Sequence, residues 1–170
     1  NEMEIVERVI ELMKKIYQLD SKKFDKVRRE ILENTVYHFG PTTKGIEREQ
    51  VYIEPIIKEE NKVIGDSDNK CDFVFCEDDS YPVEFIECKA NIANMIPHTL
   101  PFEEVKKSHK NKIRYLDTIY QYLTKSYKEP KIYFACYNLD YSRELENLQK
   151  NWGYHYMGFV NAEEIINGKN

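Results

Sequence analysis

The chain has 170 residues, 41% of them hydrophobic, and a formal net charge of −5. That composition can bury one substantial core, and with no internal repeat and no Pro- or Gly-rich linker a single domain is expected over 1–170. The acidic balance excludes a uniformly basic footprint. No apolar run is long enough for a bilayer span, and the charged amino terminus does not resemble a signal peptide, so a cytoplasmic location and no membrane partner are expected.

Two amphipathic segments come first, Met3 to Leu19 and Phe24 to Val36, separated by Asp20-Ser21-Lys22-Lys23. They form a predicted helical extension over 1–38. Ile5, Val9, Leu12, Met13 and Ile16 share one apolar stripe that needs a covering surface, either the core or a second copy of the chain, so a homodimer through these helices is a candidate assembly. Acidic and basic residues alternate on the polar side, which disfavours a membrane-lying helix.

A third helix is predicted near Thr42 to Glu54, with Thr42 or Thr43 as cap and Pro55 close to its end. At 100° per residue Ile46, Ile53 and Ile57 share a face, and Glu49 falls on it while Glu47 and Glu54 point away. An acid in an apolar seam needs a partner, a metal being one; a place in water at the edge of the seam is the other account.

The next two segments read as buried strands: Cys71-Asp72-Phe73-Val74-Phe75-Cys76 and Tyr81-Pro82-Val83-Glu84-Phe85-Ile86-Glu87-Cys88-Lys89. Strand side chains alternate faces, so Glu87 and Lys89 emerge on one side, roughly 6.5 Å apart. If the strands pair as a hairpin, Asp72 reaches the same spot. Two carboxylates around one divalent cation, with an ammonium beside it, can activate water against a phosphodiester. An acid-x-Lys triplet also occurs at Asp20-Ser21-Lys22, Glu60-Asn61-Lys62, Asp68-Asn69-Lys70, Glu104-Val105-Lys106 and Glu129-Pro130-Lys131, but only Glu87 and Lys89 end an apolar strand.

This hairpin resembles the PD-(D/E)XK nuclease superfamily, in which an Asp near the start of one strand precedes Glu-x-Lys at the end of the next. The matching residues are Asp72, Glu87 and Lys89, with Cys71 where the family name has proline. The resemblance implies an α/β restriction-endonuclease-like core over 40–166, a central mixed sheet flanked by helices and preceded by the two amino-terminal helices. It also implies Mg²⁺ or Mn²⁺ held by Asp72 and Glu87, and Lys89 acting on the attacking water. A further acid from a helix before the hairpin is implied, and Glu49 is preferred over Glu47 for it. The expected activity is that of a metal-dependent endonuclease on DNA in restriction, defence or repair, with RNA as the other polymer the same chemistry serves.

Downstream, the loop Ala90 to Phe102 carries apolar residues without clear periodicity, which suits either a substrate-facing or partner-facing loop or simple packing. A long helix is predicted over Glu103 to Tyr127, a strand over Lys131 to Tyr137, a helix over Ser142 to Asn151, a strand over Tyr154 to Val160 and a capped turn from Asn161 to Ile166. Lys106, Lys107, His109, Lys110, Lys112 and Arg114 crowd the start of the long helix. The five lysine and arginine side chains are candidate phosphate contacts, and a solvated helix face is the plain alternative. His98 and His109 are not placed in the catalytic set. Cys71, Cys76, Cys88 and Cys136 sit in or beside predicted strands as small apolar side chains, and with the four histidines they lack the paired spacings of a zinc site. A non-catalytic binding or assembly module with the same fold is the rival reading.

Overall fold

A computed structural model of the chain describes residues 2–43, 45–46, 50–77 and 81–168. Five strands form one sheet in the order β1-β4-β5-β6-β7, comprising Val51–Ile53, Phe73–Cys76, Pro82–Cys88, Lys131–Cys136 and Met157–Asn161. A two-stranded hairpin, β2 (Lys58–Glu59) with β3 (Lys62–Val63), lies between the first two in sequence. β1, β4 and β5 are antiparallel, whereas β5, β6 and β7 are parallel, giving a mixed α/β sheet. β5 is central, and from Val83 to Cys88 every residue is buried, which is why it reads as a nearly unbroken apolar run.

The α-helices among the described residues are α1 (Glu2–Tyr17), α2 (Ser21–Phe39), α3 (Lys107–Ser126), α4 (Ser142–Glu146) and α5 (Ala162–Asn167). Strand alternation divides the core in two. Val74, Phe85, Ile132 and Phe134 face Ile113, Leu116 and Ile119 of α3, while Phe73, Phe75, Ile86 and Val160 face Leu32 and Val36 of α2 and Ile165 of α5. α3 spans the parallel connection from β5 to β6, and its buried residues recur at helical spacing on one side. α5 starts where expected, because Asn161 caps it and Glu164 returns the bond to the Asn161 N–H. Asp20 caps α2 by accepting from the Lys23 N–H at 3.0 Å.

The two amino-terminal helices differ in packing. α2 covers a face of the sheet, but no residue from Met3 to Lys15 is buried. Among the described residues, no helix is long and apolar enough to cross a membrane.

Of the stretch expected as a helix over Thr42 to Glu54, the described residues place Gln50 in a 3₁₀ turn, Val51–Ile53 in β1, and Thr42 and Thr43 in a bend. The Thr42 and Thr43 backbone N–H groups donate to the Glu84 carboxylate at 3.0 and 2.9 Å, and the Thr42 hydroxyl donates to the same group. Glu84 is fully buried, so these bonds offset the cost of enclosing its carboxylate. The β-branched and aromatic Val51-Tyr52-Ile53 then pair with Phe75, Val74 and Phe73, a gain that outweighs the weak helical pattern ahead of Pro55. In the Ala90 to Phe102 loop, Ile92, Met95 and Ile96 are buried against the α3 side of the core, so packing accounts for its apolar content.

Candidate metal centre

The β4–β5 register pairs Phe73 with Ile86, which sets Asp72 opposite Glu87 just beyond the last paired residues. Each reaches the other's strand: the Asp72 N–H donates to Glu87 Oε2 at 3.3 Å, and the Cys88 N–H donates to Asp72 Oδ2 at 2.7 Å. Both line a cavity of about 440 Å³ that also takes in Glu33 and Arg29 from α2 and Glu54 from the end of β1. Glu54 holds a φ of 45°, a left-handed conformation uncommon outside glycine, and its N–H donates to the Asp72 carbonyl at 3.0 Å. Arg29 Nε stands 3.7 Å from Glu33 Oε1.

The acids feel one another. Burial, and then the Asp72 charge, raise the Glu87 carboxyl to about 8, against the opposing pull of Lys112. Asp72 is raised by burial, opposed by its bond from the Cys88 N–H and by the Lys112 and Lys89 charges. Glu33 is raised by burial and by Asp72. Carboxyls gathered under these conditions are stabilised by further positive charge, and the oxygen donor set suits a hard divalent cation. Among the described residues no group of three or more His, Cys, Asp or Glu side chains is placed to hold a metal ion. Two carboxylates with the remaining positions left to water is the usual holding of Mg²⁺, so the residues present fit such an ion.

Lys89 leaves β5 with its backbone N–H donating to the Ala135 carbonyl at 2.8 Å, and strand alternation gives it the side of Glu87. Its charge opposes the rise of Asp72 and adds to the burial that lowers the His109 imidazole, so the ammonium lies within electrostatic reach of each. The expected phosphate-contacting row is divided. Lys106, Lys107 and Arg114 are exposed, and Lys110 donates from Nζ to the Glu103 carbonyl at 2.6 Å. Arg114 lies 5.3 Å over the Phe102 ring. Lys112 instead turns inward. Its Nζ is 3.2 Å from both Glu87 carboxylate oxygens and also donates to the Lys70 carbonyl, so it neutralises a site acid.

Glu49, expected as the helix-borne acid, lies outside the described residues, as does Glu47. Three residues of the site were missed in that role by sequence reasoning: Glu33, Glu54 and Lys112. Glu33 reads as one half of an ordinary i, i+4 pair with Arg29, Glu54 as the polar end of the helix expected before Pro55, and Lys112 as one of six basic side chains. Only the position of Glu33 beside the buried Leu32 and Val36 offered a signal. His98 is paired with Glu144 at 3.2 Å, and all four cysteines are free and buried. Compared with known proteins, the chain matches no family model, no curated protein and no solved structure.

Proposed function

We propose that the chain is a divalent-metal-dependent nuclease with a restriction-endonuclease-like core, acting on DNA. The observation that carries this reading is the meeting of Asp72 and Glu87 across the β4–β5 hairpin, inside a cavity bordered by further acids. The element order supports it too, an antiparallel hairpin running into parallel strands with a long helix between them. Asp72 and Glu87 would hold Mg²⁺ or Mn²⁺, with Glu33 and Glu54 lining the same cavity and adding to its negative charge. Glu33, carried by α2, takes the role that the resemblance gives to an acid from a helix before the hairpin. When bound, the cation supplies a Lewis acid and a more acidic water. Lys89 orients the attacking water and steadies negative charge building on the phosphate. Lys112 keeps the Glu87 carboxylate aimed and partly ionised. Restriction, defence against mobile elements and repair are the settings such an activity serves.

A second reading has one observation in its favour. The Lys112–Glu87 pair supplies a partner for a buried acid without any metal, as a non-catalytic module would require. Calorimetric titration with Mn²⁺ or Mg²⁺ separates the two. Binding by the chain, weakened about tenfold or more in Asp72→Asn because a neutral amide is a poorer ligand for a hard cation, is expected of the nuclease. No binding at millimolar concentrations is expected of the module.

A further inference from the structure

Met3, Val6, Ile10, Met13 and Tyr17 recur on α1 at alternating steps of three and four residues and are 46% to 74% exposed; Ile5, Val9 and Leu12, also exposed, lie on the adjoining face. Tyr17 stacks on Phe24 of α2 at 6.1 Å, but from Met3 to Lys15 no residue is buried, and a helix of this length with so little packing is marginal in water, so its stability depends on something that covers this face. Two properties identify the cover. Charge is distributed along the helix, with Glu4, Glu7 and Glu11 in its first three turns and Lys14 and Lys15 in its last. An antiparallel copy therefore sets acid against base, whereas a parallel copy sets like against like. The area is also adequate. The five side chains of the stripe, at about 100 Å² each, offer roughly 500 Å² per copy and about 1,000 Å² in the pair, the lower end of a specific interface.

We infer that α1 pairs antiparallel with α1 of a second copy of the chain, with Val6, Ile10, Met13 and Tyr17 forming the seam. The 3-4 spacing packs Ile10 of one copy against Met13 of the other and Val6 against Tyr17, and this register brings each Glu7 beside the opposing Lys14. The contact is isologous, so a two-fold axis closes it and no filament grows. The polar side of α1 mixes Glu4, Glu7 and Glu11 with Arg8, Lys14 and Lys15 and has no cationic excess to hold an anionic bilayer. The pairing is independent of the chemistry at Asp72 and Glu87.

Sedimentation equilibrium of the whole chain at low salt tests it, with melting of each variant recorded alongside. The chain should dimerise. Ile10→Glu with Met13→Glu should be monomeric with the sheet's melting unchanged, because neither residue is buried. Glu7→Lys and Lys14→Glu should each weaken association by about tenfold, since each reversal turns two attractions into repulsions, and the double reversal should restore it. A wild-type monomer at every concentration, a dimer that survives Ile10→Glu with Met13→Glu, or no rescue by the double reversal would overturn the pairing. Flotation of a monomeric chain with phosphatidylserine vesicles would overturn it in favour of a lipid surface.

Discussion

Replacing Glu87 by Gln removes the most strongly perturbed carboxyl of the cavity while keeping its shape. In the folded chain this group titrates at about 8, and its ordinary value is 4.5. Between those values the native state holds a proton that the unfolded state has released, so stability declines as pH rises through that window. The gap corresponds to about 5 kcal/mol at the usual 1.36 kcal/mol per pH unit, an upper bound because the substitution also removes the buried pair with Lys112. A net gain of about 1–3 kcal/mol is expected for Glu87→Gln at pH 9 in chelator, with little difference near pH 5. For a chain of this size that is roughly 2–12 °C in melting temperature. Thermal melts of both proteins at pH 5, 7 and 9 with EDTA read it directly. A difference that does not change with pH, or a loss at pH 9 larger than at pH 5, would refute the reasoning.

Lys112→Met removes the charge that lowers Glu87, so the carboxyl titrates higher and the midpoint of Mn²⁺ binding against pH moves up by about one pH unit; calorimetry across pH checks this. Changing Lys107, Lys110 and Arg114 together to Gln should weaken DNA binding on every sequence without moving the cut position. The slope of log K against log salt should fall by up to about 0.9 for each of the three side chains that neutralises a phosphate, and an unchanged slope would place the substrate elsewhere. Gly40→Ala would set a methyl 2.6 Å from the buried Phe75 ring and 2.6 Å from the Val36 carbonyl, a clash expected to cost about 1–3 kcal/mol in denaturant unfolding.

What could be read ahead of the structure depended on signal length. α3, with six buried residues at helical spacing, and β6, an apolar aromatic run, carry their own patterns, and the Asn161–Glu164 cap is local to four residues. Asp72 and Glu87 stood out because each is an acid in a strand whose adjoining residues are apolar. The segment around Thr42 misled for a physical reason: the partner that settles its conformation, Glu84, is 42 residues away and buried, and β1 has only three residues to show a period. Glu33, Glu54 and Lys112 were not legible as one group because three separate elements deliver them to one site, and on its own element each has an ordinary surface explanation.

The proposed function requires that the chain cut phosphodiesters at the Asp72–Glu87 centre. Incubation of supercoiled plasmid with the chain and Mn²⁺ or Mg²⁺, beside Lys89→Ala, tests it most directly. The account predicts nicked or linear product from the chain, and about a hundredfold loss or more in Lys89→Ala with metal binding retained, since Lys89 acts on water and phosphate and not on the ion. Plasmid left intact by a folded, metal-loaded chain, or cleavage undiminished by Lys89→Ala, would contradict it.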